Sequence, residues 1–538
     1  MQDNNNIIYT ITIHDSTYQS FTITPSPPPE ITIHPVTHRL FSGDTFTITT
    51  TTTTPSITIL HSPIKHTRIP GILLLKKNKT YGKYKNKHYY QCIPYNRELP
   101  IFLIPYELKI GFSKKFTNTF VLFQFTDWND THPHGSLLET IGSIDHLEAF
   151  DEYQLYCHGL YHSIKPLQEK TKTLPSIHAI LNNYHDIINR LEDIVYTIDS
   201  KETQEYDDAF SIHSIDDTHL RLSIYITNVF FWLEQADLWK VLSQRISTIY
   251  LSSGKKTLLS PTLNKACSLR KGEMKIVSIM DIIINTETGS LGEPVYSNGY
   301  IMVKENYHYD DPQLLENTSY HQLVKWMTIN NDTIPTSREV ISHLMVLLNT
   351  KYAKQLYHHG KGHGIFKQLS DQISTTMIEK WSLGEYYYRN IDDVDVDDNK
   401  IYTHISSPIR RLVDIINQTI FYHYVQGGMI SPNAFEFIQQ YSNIQLFNQQ
   451  IKSIRKIQFN SNLLYRCQHD PSIIHREHLG IVVDSSTTKY TIYLKEFKLW
   501  TTIQTDKHLE NYSIYPFLLF LFDDETTLMK KIRLQLVE

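Results

Sequence analysis

The chain has 538 residues, a formal net charge of −5 and a composition that is 41% hydrophobic and 12% aromatic. That length divides into about three or four domains, and the apolar content excludes a chain that is disordered throughout. The weak negative charge means that any polyanionic partner must be met by a local basic surface, not by bulk attraction.

Cys92, Cys157, Cys267 and Cys467 lie far apart with no CxxC pair, which argues against a zinc site or a disulfide framework and for a reducing compartment. The first residues, MQDNNNIIYT, lack a basic and apolar leader, and the longest apolar run, YPFLLFLF at 515–522, is too short to span a bilayer. The expectation is a soluble, intracellular, cytoplasmic protein with no membrane partner.

From residue 7 to about 60 polar and β-branched residues alternate, broken by PSPPPE at 25–30. Period two predicts short exposed strands; the threonine run at 49–54 also reads as a low-complexity linker. Residues 1–62 are taken as a shortened first β-domain. Segments such as PIFLIPYELKIGF and FVLFQFTDW make 63–160 a small antiparallel barrel. Helical spacing then predicts a connector over 161–194.

Residues 195–430 mix strands (LRLSIYITNVFFWL, MKIVSIMDIII) with helices (SREVISHLMVLLNTKYAKQLY, IRRLVDIINQTIFYHYV), the pattern of an α/β body with a large core. A helical connector is expected at 431–470. Short alternating strands return at 471–538 and predict a closing OB-like barrel.

Within this plan, TIDSKETQEYDD at 197–208 places the carboxylates of Asp199, Glu205, Asp207 and Asp208 beside a β-branched run. Adjacent residues of a strand face opposite ways, so only a loop lets Asp207 and Asp208 both converge on Asp199. Converging carboxylates repel unless hard cations sit between them, and Asp oxygens suit magnesium or manganese. A solvated acidic turn is the alternative. A second stretch, YTHISSPIRRLVDII at 402–416, joins hydroxyls, a proline and two arginines at the entrance to an apolar helix, with Ser406 or Ser407 as the expected cap. Arg410 and Arg411 have the geometry to brace phosphate oxygens, or form a surface salt bridge.

Together these stretches resemble the ribonuclease II (RNB) family. TIDSKETQEYDDAFSI is similar to the opening of its catalytic domain, YTHISSPIRR to its YTHFTSPIRR signature, and QRISTIYLSSGKKTLLSPTLNKACSL to the stretch between them. DWNDTHPHGSLLETIGSIDHLEAFDEYQLYCHGL resembles the second cold-shock barrel of the eukaryotic exosome-type branch, and HRLFSGDTFTI the end of a first one.

The resemblance implies a processive, 3′-to-5′ hydrolytic exoribonuclease that releases nucleoside 5′-monophosphates from single-stranded RNA by two-metal-ion catalysis. Its cofactor would be magnesium, with manganese able to substitute. Asp199 and Asp208 would hold metal, Asp207 would complete the metal site and position the second metal or the water, Glu205 would stand in the catalytic cluster, and Arg410 would stabilise charge on the scissile phosphate. Tyr250 and, second, Phe366 would stack on bases, with a core aromatic as the alternative for Tyr250, and Arg411 would contact RNA.

The resemblance implies neither a nucleotide cofactor nor an oligomer, and the lack of the exosome-type PIN segment leaves exosome association in doubt. Departures from the family pattern are Glu205 in place of an Asp, Asn228 in place of an Asp, Phe231 in place of a His, and the acidic RNIDDVDVDDNK at 389–400, expected to face solvent. A catalytically weakened RNA-binding protein of the same fold is the competing expectation.

Overall fold

The computed structural model describes residues 7–537 except 51–54, 109–115, 243, 330–333, 369–384, 389–400, 442, 487–488, 498, 512 and 525–528. Two compact units are present: Met1–Tyr161, Leu251–Ser253 and Ile457–Glu538 form one, His162–Tyr250 and Gly254–Lys456 the other. The acidic stretch 389–400 and most of the threonine run lie outside the described residues.

In the first unit β1 (Ile8–Ile13), β2 (Phe21–Thr24), β3 (Thr45–Thr50) and β4 (Pro55–His61) form an antiparallel sheet in the order β2-β1-β3-β4. Alternation turns Tyr9, Ile11 and Ile13 inward. A second sheet contains β5 (Ile69–Leu73), β6 (Lys83–Tyr84), β7 (Lys87–Pro94), β8 (Phe102–Tyr106), β9 (Thr119–Asp127) and β10 (His134–Ser143), ordered β5-β9-β10-β8-β7-β6. Because β5 also pairs with β7, the sheet closes into a barrel. Ile11 and Phe46 of the first sheet share one core with Phe102 and Phe123 of the second and with Trp128, just past the end of β9.

The second unit is built on β11 (Ile187–Asn189), β12 (Val195–Asp199), β13 (Asp208–Ser214), β14 (His219–Thr227), β17 (Met274–Asn285) and β18 (Val295–His308), with a two-stranded hairpin of β15 (Ile249–Leu251) and β16 (Gly254–Lys256) beside them in sequence. The order is β11-β18-β12-β13-β14-β17, and β17 pairs back onto β18, so this sheet also closes on itself. Residues 187–189, inside the expected connector, thus pair as a strand with β18.

The expected strand through YITNVFFWL stops at Thr227, and Phe230–Gln235 is helical. The turn is set at Asn228: its side-chain oxygen accepts from the Phe230 amide at 3.1 Å, while its Nδ2 donates to Ser278 and Asn298. Asn228 is therefore a buried hinge of the core. Helix α1 (Ser337–His359) opens on a capping box between Thr336 and Glu339. Strands β19 (Ile365–Lys367) and β20 (Tyr386–Tyr388) follow, then α2 (Leu412–Ile420).

The cap expected at Ser406 or Ser407 is not the N-cap of α2. The helix starts at Leu412 with Arg411 as N-cap and no side-chain cap bond. Asp414 instead accepts from the Ser407 amide at 2.7 Å and holds the Pro408 segment in a turn ahead of the helix.

Helix α3 (Ile444–His469) runs into the C-terminal sheet, which belongs to the first unit and comprises β21 (Glu477–Ser486), β22 (Lys489–Leu494), β23 (Leu499–Gln504), β24 (Ile514–Asp524) and β25 (Met529–Leu536), ordered β23-β22-β21-β24-β25. Val482, Ile492 and Phe517 of this sheet pack on Leu463 and Cys467 of α3. Among the described residues no helix is long and apolar enough to cross a membrane.

Candidate active site

Asp199 ends β12 and Asp208 begins β13, so the loop 200–207 folds back and sets both carboxylates at the mouth of one cavity of about 590 Å³. Asp207, the last loop residue, is 5% exposed and turns toward the segment before α2. Its Oδ1 accepts from the Ile409 amide at 2.9 Å, and its Oδ2 lies 3.4 Å from Arg410 Nε. Neighbouring side chains thus diverge as strand geometry requires. Asp208 shares its field with Asp199, and Asp207 with Arg410.

Burial is the first cause that raises all three acids above the usual carboxylate range. It pushes Asp207 up to about 7 against the opposing pull of Arg410 and the Ile409 amide. Asp199 is raised by burial and then by the charge of Asp207, Asp208 by burial and then by Asp199. Asp199 Oδ2 and Asp208 Oδ2 are buried with no hydrogen-bond partner. Two such oxygens in one cavity are a poor arrangement for protein alone and a good one for a hard cation.

The fit has a limit, since among the described residues no three His, Cys, Asp or Glu side chains form a ready-made metal cage. Asp199 and Asp208 suit a shared divalent ion whose other ligands come from water or substrate. The oxygens of Asp207 are already engaged by the protein.

Arg410 lines the same cavity, its side chain 45% exposed, steadied by a 2.9 Å bond from Nη2 to Ser407 Oγ. Tyr250, on β15, is 46% exposed and also lines it. Glu205 lies on the wall, but its Oε1 accepts from Lys255 Nζ and from Asn264 Nδ2, each at 2.7 Å. The extra methylene relative to Asp carries its charge to this pair.

Two expected residues are not brought to the cavity. Arg411 turns inward, donating to Asp414 at 2.9 Å and to Ser406 at 3.2 Å, and Asp414 is fully buried. The salt-bridge alternative therefore describes its contacts, although the bridge is internal and not on the surface. Phe366 is 0% exposed, stacked on Tyr387 at 5.8 Å with Tyr357 on its edge at 5.9 Å, so neither face is open to a base. Phe231 is likewise buried, against Tyr184 and Tyr422. Glu202 and Lys255, passed over in the sequence, line the cavity. Glu202 stands inside the quoted acidic motif, whereas only the fold brings Lys255 to Glu205.

Residues 188–325 match the family model of the RNB domain. A 135-residue stretch is 28% identical to ribonuclease R of Mycoplasmopsis pulmonis (strain UAB CTIP), covering 25% of this chain and 18% of that one, so the matched stretch spans about a fifth of the curated relative.

Among solved structures, Mycoplasma genitalium RNase R in complex with ribose methylated single-stranded RNA superposes with a TM-score of 0.67 at 13% identity, over 98% of this chain and 100% of that one. The yeast pseudonuclease Ssd1 superposes with a TM-score of 0.57 at 12% identity, over 94% of this chain and 79% of that one. The multidomain architecture expected from the sequence, OB-like β-sheets together with an RNB body, is the fold these proteins share. The matches do not single out the exosome-type branch.

Proposed function

We propose that this RNB-domain protein is a divalent-metal-dependent hydrolase that degrades single-stranded RNA from its 3′ end, processively, to nucleoside 5′-monophosphates. The observation that carries the reading is the pair of buried, unpartnered oxygens on Asp199 and Asp208, facing Arg410 and Tyr250 across one cavity. Magnesium or manganese suits those oxygens, and bound there it would supply charge for the scissile phosphate and an acidified water.

The chain's own residues do the rest. Arg410 is half-exposed and presents its guanidinium to a phosphate oxygen on which charge develops, while Asp207 and Ser407 hold it in place. Tyr250 offers a ring to the terminal base, and stacking tolerates any sequence because every base has a face. The two-metal form of the mechanism would require Asp207 to release Ile409 or Arg410 when substrate arrives. The enzyme acts as a monomer in the cytoplasm in this reading.

The competing reading is an RNA-binding protein without catalysis, favoured by one observation: Glu205, which replaces an Asp of the family motif, is tied up by Lys255 and Asn264. One assay separates them. Purified protein is incubated with uniformly labelled single-stranded RNA with and without magnesium or manganese. A metal-dependent ladder with mononucleotide product supports the enzyme; intact RNA with undiminished binding supports the binding protein.

A further inference from the structure

Besides the carboxylate cavity, the second unit holds a concavity of about 360 Å³ lined by His363, Tyr388, Tyr424, Phe435, Ile438 and Gln439. A pocket of this size takes a whole small ligand. It is separate from the carboxylates. Arg411 is the N-cap of α2, next to Arg410 of the first cavity, and Tyr424 stands in the turn that continues the helix. The helical run 412–425 therefore sets the two sites about 20 Å apart by its rise alone.

Three local features build it. The turn Phe421–Val425 is widened: the Gln426 amide donates to the Phe421 carbonyl, five residues back, at 3.1 Å, where an α-helix reaches back four. Such turns are rare and are frequent at functional sites. His363 comes from a loop in which Lys361, Gly362 and Gly364 have φ of 50°, 79° and 144°, and a lysine in that region carries backbone strain. Phe435, Ile438 and Gln439, three and four positions apart, share one face of the helix Pro432–Gln440. The His363 ring stacks on Tyr424 at 4.4 Å and 15°, and its Nδ1 lies 3.0 Å from Tyr388 Oη in a hydrogen bond. Burial, and then the charge of His423, hold the His363 imidazole below its ordinary value, so at neutral pH it is an uncharged ring. Phe435 is 40% exposed, which leaves its ring open to a ligand.

The lining selects the ligand. Among the described residues no Asp, Glu, Lys or Arg lines the pocket, so neither a cation nor a phosphate meets a counter-charge there. Two stacked rings make a flat wall that extends by one more flat ring. The imidazole of His363 and the amide of Gln439 bring hydrogen-bonding groups of the kind that read the edge of a base. A lone protein side chain would leave part of the space empty and forfeit contact with a wall. We propose that this pocket binds a purine nucleoside, its base against the His363–Tyr424 pair, as a ligand site separate from the carboxylate cavity. The fused rings of a purine cover more of that wall than the single ring of a pyrimidine. The inference goes beyond the exoribonuclease reading and does not depend on it.

The test is equilibrium dialysis of the full chain against radiolabelled adenosine in EDTA, at low and at high salt. Adenosine should bind with an affinity that salt leaves unchanged. AMP should bind no more tightly, because the pocket offers its phosphate no charge, and uridine should bind more weakly. Tyr424→Ala should weaken adenosine binding by roughly 5- to 100-fold, the size of one lost base stack, and Tyr424→Phe should not. Tyr250→Ala, at the other cavity, should leave adenosine binding at its wild-type value.

Wild-type protein that retains no adenosine at millimolar concentration overturns the proposal, as does wild-type affinity in Tyr424→Ala. Loss of binding in Tyr250→Ala would move adenosine to the carboxylate cavity and overturns it too. So do equal binding of uridine, a tighter and salt-sensitive binding of AMP, or an oligoadenylate that displaces adenosine far better than adenosine displaces itself. N-acetyltryptophanamide that binds while adenosine does not would make the pocket a seat for a protein side chain, against the proposal. Should Tyr424→Ala fail to fold, as judged by its melting curve, Phe435→Ala is read by the same criterion. Because the dialysis needs neither metal nor hydrolysis, an inactive protein that still binds adenosine would count against the enzyme and not against this site.

Discussion

At the scale of single residues, the site separates carboxylates with an unpartnered buried oxygen from one that already has partners. Asp199 and Asp208 each keep a buried oxygen without a partner, whereas Asp207 is bonded to Ile409 and Arg410. Asp208→Asn removes half of the pair proposed to hold metal and also the repulsion between the two acids. Hydrolysis should fall by about 100-fold or more, RNA binding in EDTA should persist, and the metal-free protein should gain on the order of 1 kcal/mol or more at neutral pH. Single-turnover kinetics and urea unfolding measure the two sides. Unchanged hydrolysis would remove Asp208 from the site.

Arg410 and Arg411, adjacent in sequence, should behave differently because their surroundings do. Arg411→Ala leaves Asp414 buried without its counter-ion and should cost about 3 kcal/mol of stability. Arg410→Ala, at a half-exposed position, should lose activity well before stability.

At the scale of elements, the hairpin of β15 and β16 brings Tyr250 and Lys255 to the wall of the same cavity. A processive enzyme grips a shortening strand until only contacts near the site remain, and one base stack contributes on the order of 1 to 3 kcal/mol. Tyr250→Ala should thus leave long RNA almost unaffected and end digestion at a longer limit product, which a sequencing gel resolves; Tyr250→Phe should restore the wild-type ladder.

The sheet carries its own close approach. A Cβ at Gly299 of β18 would sit 2.6 Å from Ile279 Cδ1 and 3.0 Å from the Ile188 carbonyl. Gly299 lies where β18 is flanked by β11 and β17. Gly299→Ala should therefore destabilise the second unit by roughly 1 to 3 kcal/mol through overpacking, seen as a lower urea midpoint.

At the scale of the whole molecule, the buried acids make stability depend on pH, and in the proposed reading on metal. Folding raises the pKa of Asp199, Asp207 and Asp208, with Asp207 at about 7, so the folded chain binds protons that the unfolded chain releases. The associated stabilisation is complete below the ordinary carboxylate range near about 4 and is lost as pH rises through about 7. Metal-free protein should then melt at a lower temperature in mildly alkaline than in mildly acidic buffer, with magnesium or manganese raising the melting temperature chiefly in the alkaline one. Differential scanning calorimetry of chelated and metal-loaded samples checks both signs. A melting temperature insensitive to metal at alkaline pH would oppose a cation at this site.

How much of this was legible in the chain follows from the range over which each cause acts. Alternation of period two is a local property, so the strands that became β1, β14 and β17 could be read directly, as could the helix opening at Thr336 and the acidic motif at 197–208. The break after Thr227 could not, because it depends on Asn228 finding Ser278 and Asn298, residues 50 and 70 positions away in the chain. The same limit governs the site. The sequence by itself placed Asp199, Asp207, Asp208 and Arg410 among the residues of interest, since they sit in short motifs whose chemistry is carried by residue type and spacing, whereas Tyr250 was singled out only by the resemblance of its stretch to the family. Only the tertiary structure decided that Arg411 braces Asp414, that Phe366 has no open face, and that Lys255 meets Glu205. A side chain's direction and counter-ion are set by contacts across the fold, and spacing along the chain does not encode them.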